Sequence, residues 1–426
     1  MKVLVISHNP ICTYDNMGKT ILSLFSCFKK EEICQLYVYP SMPDVDKCTS
    51  YFRITDREVI RSLRPFAKAP GDEITLSDEL IRDFRVRSTK KDITQEQESF
   101  LFIMRDIAWK MSGWYSTKLK AWLDREAPEV IFFTPGSSKF IYDVADKISM
   151  ERKIPVITYI CDDFYFLNGK IGFFRSLQLK LLKKRIKRSL QEASGIITIC
   201  EALRCIYSEE FSIPVHTVMT GAGIKMNTVK AVERIRNMSY FGNLTFNRYL
   251  NIAEIGRTLD SINKRTGQDV ELRVYSRNDN KTVRAEFSGI SSLKMMGYLA
   301  GDEYSRAFFD SDVLIHTEAF DETCMNRVRY SVSTKIADSL ASGIMLFAYG
   351  PKGIASMDHL EDNGSAWIVN NRDELEGSIE EMLDNPNERE ETACKGLKTA
   401  EQYHDSDANS LRIRTILAGA ADGRRV

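Results

Sequence analysis

The second half of the chain contains a run of hydroxyl side chains and a lysine that could bind phosphate. Ser333, Thr334 and Lys335 stand where a helix is predicted to begin, ahead of the apolar run 343–350. The first backbone N–H groups of a helix have no partner inside the helix, and beside a cation they favour an anion. Asp338 shares a helix face with Lys335 and could accept two ribose hydroxyls. The pattern predicts a nucleoside diphosphate site; the alternative is a surface ion pair between Lys335 and Asp338.

A second phosphate-binding pattern lies earlier, at 240–248. A predicted strand runs into Gly242 and Asn243, and Arg248 stands at the head of the next predicted helix. Glycine lets backbone N–H groups approach a ligand closely, and a guanidinium donates paired hydrogen bonds to phosphate. We therefore expect Gly242, Asn243 and Arg248 to bind the same diphosphate as Lys335.

Asp15, Asn16 and Gly18 form a predicted turn after the strand 2–8, with a helix opening at Gly18. An anion or a substrate could meet backbone N–H groups there, although a plain strand–helix turn is an equal alternative. The turn is not a P-loop, because Thr13 stands where G-x-x-x-x-G-K-[ST] requires its first glycine.

Polar residues also end other predicted strands of the first half. Ser137 lies in the hydroxyl-bearing stretch 134–138, and Asp162 and Asp163 are adjacent carboxylates at a strand end. Buried carboxylates need partners, so this pair indicates a site, or else it caps the next helix. His8 is as consistent with a structural role as with a catalytic one.

The elements that position these residues are predicted from short apolar runs separated by helix-length stretches. The first series is 2–8, 35–40, 129–135, 155–163, 195–200 and 216–221; the second is 238–243, 271–276, 293–299, 312–317, 343–350 and 365–370. Runs that are apolar throughout are typical of parallel strands buried on both faces. The predicted fold class is α/β, with two Rossmann-like doubly wound domains facing a central cleft.

A polar stretch separates the two series and predicts the domain boundaries. We expect an N-terminal domain over 1–225 and a C-terminal domain over 236–400, with a last helix, 400–426, that packs back on the first domain. The charged segment 50–100 is interpreted as an extension of the first domain. The segment 99–126 is predicted to be one helix, its tryptophans packing rather than binding.

Composition excludes several classes of protein. Lys+Arg and Asp+Glu both number 59, so the formal net charge is zero, unlike that of a typical nucleic-acid binder. The nine Cys include no C-x-x-C pair and the five His are scattered, which favours free thiols over disulfides or a metal site. The apolar N-terminal stretch is too short for a signal peptide, and G-x-G-x-x-G is absent from both halves. We expect a cytoplasmic protein.

The segment 169–190 contains eight Lys or Arg and no acid, with apolar residues at helical spacing. A basic amphipathic helix could lie on the anionic inner surface of a membrane, making the protein peripheral. The alternative is a solvated helix whose apolar face packs on its own domain.

The residues from 238 to about 400 resemble the nucleotide-sugar-binding domain of GT-B glycosyltransferases, family four in particular. That family binds the donor diphosphate with G-R-L-x-x-x-K. Here Gly242 and Leu244 match, Arg248 stands for the lysine, and Asn243 replaces the arginine. The family's E-A-M-A-x-G motif begins with a ribose-binding glutamate, and Asp338 matches that position.

The chain also departs from the family pattern. Tyr330 stands where the family has a glutamate near the reacting sugar, and Asp321 and Glu322 could substitute for it from a longer loop. A strand end that often reads His-Asp is Cys161-Asp162 here. The candidate catalytic residues are therefore Asp162, Asp321 and Glu322. Lost positive charge could be supplied by Arg327, Arg329 and Lys335, as in a subgroup of bacterial polysaccharide clusters that carries S-x-S-T-K-I.

The resemblance implies sugar transfer from a nucleoside diphosphate sugar to an acceptor hydroxyl, with retention of configuration and without a metal or another cofactor. The donor would bind the second domain. The acceptor, which could be a lipid-linked saccharide, would bind near Asp15, Asn16, Gly18, Ser137 and Asp162. Two alternatives remain: a nucleotide-sugar epimerase of the same architecture, and a non-catalytic nucleotide-sugar-binding subunit that partners an active transferase.

Overall fold

The chain forms two compact units. The computed structural model describes residues 1–76, 95–166 and 172–423. The first unit combines Met1–Thr220 with the segment that begins at Ser406, and the second is Gly221–Asp405. Each unit has its own sheet.

The first unit is built on an eight-stranded sheet. Its strands are β1 (Val3–Ser7), β2 (Ile33–Tyr37), β3 (Tyr51–Arg53), β4 (Asp72–Ile74), β5 (Val130–Phe133), β6 (Val156–Ile160), β7 (Gly195–Thr198) and β8 (Val215–Thr217). They lie in the order β4-β3-β2-β1-β5-β6-β7-β8, and all neighbours are parallel except β3 and β4. Strands β1, β5, β6 and β7 are buried along their whole length, which explains their continuous apolar sequences.

Helices connect the strands of this unit. They are α1 (Asn16–Leu24), α2 (Asp56–Ser62), α3 (Gln95–Met111), α4 (Thr117–Glu126), α5 (Lys139–Arg152), α6 (Phe173–Glu192) and α7 (Glu201–Glu210). The C-terminal segment adds α16 (Ser406–Ala421), numbered after the helices of the second unit.

The second unit has a six-stranded sheet in which all neighbours are parallel. Its strands are β9 (Asn237–Phe241), β10 (Glu271–Tyr275), β11 (Leu293–Met295), β12 (Val313–Thr317), β13 (Met345–Tyr349) and β14 (Trp367–Val369). Their order is β11-β10-β9-β12-β13-β14, a doubly wound arrangement. The helices are α8 (Arg248–Thr266), α9 (Lys281–Phe287), α10 (Gly301–Asp310), α11 (Glu322–Val328), α12 (Thr334–Ala341), α13 (Ala355–Asp362), α14 (Leu375–Asp384) and α15 (Pro386–Tyr403).

The prediction of a single helix over 99–126 is wrong. The structure has α3 and α4 there, separated at 112–116. Ser116 begins α4 as its N-cap, accepting the backbone N–H of Leu119 at 3.3 Å, and so offers the chain a new helix start. Trp109 and Trp122 are buried, and their indole N–H groups donate to Asp56 and Ser50. Both tryptophans therefore pack in the interior, as predicted.

The C-terminal helix α16 lies against α1 in the first unit. The guanidinium of Arg414 donates to both carboxylate oxygens of Glu32, at 2.6 and 2.8 Å. Hydrogen bonds from Arg414 lower the pKa of Glu32 to about 2. The Ser410 hydroxyl accepts the N–H of Cys27 at 3.1 Å. No helix of the described residues is long and apolar enough to span a bilayer.

Within the second unit, Gly343 makes a close backbone approach that no other residue type could make without strain. Its φ is +73°, and a Cβ atom there would clash with the carbonyl group of Thr228, whose carbon would be 2.8 Å away. Two hydrogen bonds fix the approach: Asn227 N–H to the Ala341 oxygen at 3.0 Å, and Lys230 N–H to the Gly343 oxygen at 2.8 Å. The extended segment after residue 221 is thereby bound to the turn that leads into β13.

We predict that Gly343→Ala lowers the free energy of unfolding by about 3 kcal/mol or more, because the cost of a left-handed alanine adds to a backbone clash. Urea unfolding of the full chain measures the loss. Gly289→Ala is the matched control, since Gly289 also has positive φ (+81°) but open space around its Cα. That variant should lose only about 1 kcal/mol. Equal losses in the two variants would contradict the assigned role of Thr228.

Candidate functional site

The predicted phosphate-binding residues of the second unit follow strands at the centre of its sheet. Strands β9 and β12 are neighbours there, with β10 and β11 beyond β9 and with β13 and β14 beyond β12. The strand order thus reverses between β9 and β12, and ligands of doubly wound sheets bind at the carboxyl side of such a reversal. Gly242 directly follows β9, and Glu318 directly follows β12.

Gly242 is fixed by the side chain of Tyr240. A Cβ atom on Gly242 would lie 2.7 Å from the Tyr240 hydroxyl oxygen, so no larger residue fits without moving the ring. That hydroxyl donates to the carbonyl oxygen of Asn243 at 2.6 Å. The side chain of Asn243 is exposed, and its Oδ1 accepts a hydrogen bond from Arg248 at 3.0 Å. The turn after β9 therefore presents an amide already bound to the arginine of α8.

Arg248 is the first residue of α8, and two left-handed residues lead into it. Phe246 and Asn247 have φ values of +55° and +57°. This conformation costs energy in a phenylalanine, so the surrounding contacts must compensate for it. Asn247 donates from Nδ2 to Asp321 at 3.1 Å, and the guanidinium carbons of Arg248 and Arg327 lie 5.6 and 5.3 Å from the Phe246 ring centroid. The strained turn brings two arginines to one aromatic ring.

Arg248 forms a buried ion pair with Glu318, which sequence reasoning missed. Its Nε donates to one carboxylate oxygen at 3.0 Å and an Nη donates to the other at 2.9 Å. The side chains of Arg248 and Glu318 are 14% and 3% exposed. Burial raises the pKa of Glu318, and the adjacent Arg248 cation opposes that rise. By its geometry the two-point contact is a salt bridge.

A sequence signal for Glu318 existed. The residue is an acid that directly follows a strand apolar enough to be wholly buried. The sequence prediction instead chose Asp321 and Glu322, a few residues later, as substitutes from a longer loop for the family glutamate that Tyr330 replaces. An acid adjoining a buried strand is the more informative position, since it must have a partner.

Asp321 and Glu322 lie at the start of α11. Asp321 caps that helix, accepting the N–H of Cys324 at 2.9 Å on one oxygen and the amide of Asn247 on the other. Burial would raise the pKa of Asp321, but these hydrogen bonds hold it below its ordinary value. Glu322 is exposed. Of the two, Glu322 has the carboxylate that could meet a substrate without breaking a helix cap.

Helix α12 begins at the residues predicted to bind phosphate. Ser333 is its N-cap and accepts the backbone N–H of Lys335, and Thr334 is the first helical residue. Lys335 also acts electrostatically on His316 of β12, whose Nε2 lies 3.2 Å from the Ser356 hydroxyl. Burial first, then the cations of Arg248 and Lys335, lower the pKa of His316 to about 3. Both cations therefore act on one neutral imidazole near the end of β12.

Asp338 lies one turn further along α12. Its Oδ1 accepts the backbone N–H of Gly223 at 2.6 Å, so the carboxylate meets the extended segment at the start of the second unit. Arg329 and Tyr330, also singled out from the sequence, are neighbours after α11, with the guanidinium 5.7 Å from the phenol ring centroid.

In the first unit, Asp15 is the N-cap of α1 and accepts the N–H groups of Met17 and Gly18. The helix begins at Asn16, earlier than the predicted opening at Gly18. A Cβ atom on Gly18 would lie 2.8 Å from the Pro10 carbonyl oxygen and against Cys12, so packing accounts for this glycine. Because Gly18 is buried, a ligand could reach it only through the backbone of an interior residue.

The other strand ends of the first unit carry Ser137, Asp162 and Asp163. Ser137 is half-buried before α5, and Asp162 is exposed after β6. Asp163 accepts the backbone N–H groups of Tyr165 and Phe166, at 2.9 and 3.0 Å. Asp163 therefore stabilises the loop after β6, and it does not cap the next helix, α6, whose N-cap is Gly172.

His8 follows β1, and its ring lies near the aromatic rings of Tyr39 and Phe140. Neither ring nitrogen has a hydrogen-bond partner among the described residues. Burial, aided by Arg105, lowers the pKa of His8 to about 3, so the imidazole is neutral. A Cβ atom on Gly136 would lie 2.5 Å from Nε2, which shows how closely the loop after β5 covers the ring.

Comparison of the sequence with protein families gives one match. Residues 256–418 match the family described as "Glycosyl transferase-like". The match begins inside α8, after Arg248, and it includes Glu318, Lys335 and Asp338. No curated protein matches the chain by sequence. The match covers most of the second unit and extends into α16.

Solved structures share the fold over nearly the whole chain. Sucrose-phosphate synthase from Thermosynechococcus elongatus has a TM-score of 0.63 and 11% identity, covering 97% of this chain and 98% of its own. Anabaena Alr3699/HepE in complex with UDP-glucose gives 0.61 and 10%, covering 98% and 100%. Trehalose-6-phosphate from E. coli bound with UDP-2-fluoro glucose gives 0.61 and 10%, covering 98% and 99%. These likenesses confirm the predicted α/β class with two Rossmann-like units, the fold of GT-B glycosyltransferases.

The low pKa of His316 predicts an acid-sensitive second unit. The imidazole of His316 has a pKa of about 3 in the folded protein and an ordinary pKa of 6.5 in the unfolded protein. Between these two values only the unfolded protein binds the proton, so the free energy of unfolding falls as the pH drops through this window. His316→Gln cannot titrate. Its stability, measured by urea unfolding, should fall by about 2 kcal/mol less than that of the wild type between pH 7 and 5.

Between pH 7 and 8 the wild type and His316→Gln should change nearly in parallel, because the ring is mostly neutral there in both the folded and the unfolded protein. An identical acid dependence in the two proteins would mean that His316 is not kept neutral by its surroundings.

Proposed function

We propose that this chain is a retaining glycosyltransferase that moves a sugar from a nucleoside diphosphate sugar to an acceptor hydroxyl, in the synthesis of a bacterial cell-surface polysaccharide. The observation that carries this proposal is the cluster of groups around β9, β12 and α12: cations for a diphosphate and, on the same helix as Lys335, a carboxylate for a ribose. The glycosyl transferase-like match over 256–418 and the shared fold support it.

The diphosphate would bind at Gly242, Asn243, Arg248, Ser333, Thr334 and Lys335. When the bond between the sugar and the diphosphate breaks, negative charge develops on the leaving group. Lys335, the N–H groups at the start of α12 and the remaining N–H donors of Arg248 would stabilise that charge. These groups do the work that a metal ion does in other transferases, so the proposed transfer needs neither a metal nor another cofactor.

The ribose would bind Asp338. In the donor-free structure its carboxylate accepts the Gly223 N–H, which shows that this carboxylate is presented to hydrogen-bond donors. Ribose hydroxyls would compete with or join that contact. Uridine diphosphate is the first donor class to test, because solved structures with this fold contain UDP or UDP-glucose.

The acceptor would bind the first unit, near Asp15, Asn16, Gly18, Ser137 and Asp162. Asn16 is exposed, Ser137 offers a half-buried hydroxyl and Asp162 offers an exposed carboxylate, whereas the N–H of buried Gly18 already donates to Asp15. Asp162, Asp321 and Glu322 are the proposed catalytic carboxylates, with Asp162 and Glu322 favoured because Asp321 caps a helix.

We further propose that α6 brings the protein to the cytoplasmic face of a membrane, where the acceptor would be a lipid-linked saccharide. Residues 169–171 of the basic segment lie outside the described residues. Lys180, Lys184 and Arg188 are exposed at four-residue intervals and form a stripe along the helix. Exposed Phe173 and Leu181 lie on the same helix, so cations and apolar side chains could meet an anionic surface together.

The donor site is tested by thermal unfolding with UDP, GDP, ADP and CDP, since a ligand that binds only the folded state raises the melting temperature. One nucleoside diphosphate should stabilise the wild type, and both Lys335→Ala and Asp338→Ala should lose that effect. Lys264→Ala is the matched control: this exposed lysine lies in the last turn of α8, at the opposite end of the helix from Arg248.

Stabilisation that survives both substitutions would refute the assigned site. Sugar transfer measured with the stabilising donor then separates an enzyme from a binding subunit, and product analysis without acceptor separates it from an epimerase. Addition of EDTA should leave the transfer rate unchanged.

The membrane proposal is tested by co-sedimentation with vesicles that contain phosphatidylglycerol. Changing Lys180, Lys184 and Arg188 together to Gln should weaken binding about a hundredfold, at about 1 kcal/mol for each cation. The control changes three exposed lysines of the second unit: Lys264, Lys281 and Lys398. Equal binding by both triple variants, or binding to pure phosphatidylcholine, would argue against a surface contact through α6.

A further inference from the structure

We infer that Glu318 is a positioning residue for the donor diphosphate: it orients the guanidinium of Arg248, and Arg248 binds the phosphate. The inference rests on the proposed function, because it concerns the same site. It assigns a role to a carboxylate that the family motifs do not include.

The main chain of Glu318 is fixed by its neighbours. Its N–H donates to the Tyr349 carbonyl at 3.1 Å, and its carbonyl accepts from the Asn251 amide at 2.8 Å. Gly350 packs against it so closely that a Cβ atom there would lie 2.9 Å from the Glu318 carbonyl oxygen. The carboxylate therefore stands on a rigid base between α8 and β13.

The contact with Arg248 fixes the plane of the guanidinium. Two N–H groups donate to Glu318 and a third donates to Asn243, so three of the five guanidinium donors have protein partners. The remaining two are on the nitrogens Nη1 and Nη2. A free arginine side chain would lose conformational freedom on binding a phosphate, whereas this one has already lost it in folding.

The charges explain why the pair has a role beyond stability. Glu318 cancels the charge of Arg248, so net attraction for a diphosphate would come from other groups of the proposed site, among them Lys335 and the start of α12. Arg248 then contributes directed hydrogen bonds. A buried ion pair often stabilises a protein less than hydrophobic residues of the same size would. An ion pair beside a candidate ligand site is therefore expected to act in binding.

An alternative role for Glu318 predicts the opposite effect on the affinity for the diphosphate. If Glu318 merely occupied Arg248 until the phosphate displaced it, removing its charge would release a cation and tighten diphosphate binding. If Glu318 positions Arg248, the same change loosens binding. The substitution Glu318→Gln therefore separates the two, because it keeps the shape of the side chain and removes the charge.

The experiment is a double-variant cycle by isothermal titration calorimetry with UDP, and with UMP as the probe that lacks the second phosphate. Glu318→Gln should weaken UDP binding about tenfold, and Arg248→Gln should weaken it at least as much. Because Glu318 acts through Arg248, the double variant should bind UDP no more weakly than Arg248→Gln alone. The loss for UMP should be much smaller than that for UDP.

Unchanged or tighter UDP binding by Glu318→Gln overturns the inference, as do additive losses in the double variant or equal losses for UDP and UMP. Those results leave the donor site itself intact, since the wild type still binds UDP. Absence of binding by the wild type to UDP and to the other nucleoside diphosphates overturns the donor site and the inference together.

If Glu318→Gln does not fold, a second variant takes its place in the experiment. Glu318→Asp keeps the charge and withdraws the carboxylate by one methylene, so the cycle can be repeated with aspartate. It should also weaken UDP binding more than UMP binding, and only when Arg248 is present. Failure of that pattern in a folded Glu318→Asp protein overturns the inference.

Discussion

The buried ion pair between Arg248 and Glu318 is the constraint around which the candidate site is organised. Two charges removed from water must face each other closely, and here the fold provides both positions. Burial of β12 places Glu318, and the left-handed turn at Phe246 and Asn247 places Arg248. The pair then determines its neighbours, since Arg248 orients the Asn243 amide and helps to keep His316 neutral.

In the proposed donor site, attraction of the diphosphate and orientation of the diphosphate are assigned to different residues. Lys335 supplies a positive charge at the first turn of α12, where the helix adds its own N–H groups. Arg248 supplies direction, because its charge is balanced within the protein. In the proposed donor site, attraction and orientation of the diphosphate would therefore come from different elements.

The sequence predicts the architecture better than the site, and the reason is physical. Long apolar runs such as those of β1, β5 and β12 have few alternatives to buried parallel strands. Strands β3 and β4 were not predicted, because each has three residues and little apolar pattern. The break between α3 and α4 depends on one N-cap, Ser116. In the sequence this single residue is a weaker signal than the helical pattern on both sides of it, so the break was not predicted.

Site contacts depend on partners that are distant in sequence. Glu318 and Arg248 are separated by 70 residues, and Asp338 meets Gly223 across 115. Spacing within a motif cannot reveal such pairs. Gly242 is a local case, since its need for glycine comes from the Tyr240 hydroxyl two residues before it, yet that reason too is visible only in three dimensions.

The contact between α16 and α1 has a consequence for the order in which the protein folds during translation. A chain leaves the ribosome from its N-terminus, and domains fold as units once their residues have emerged. Every residue of the second unit precedes α16, whereas the first unit lacks the partner of Glu32 until Arg414 is made. The unit whose synthesis begins first is therefore completed last, and α1 lacks its packing partner α16 until the C-terminal segment has been made.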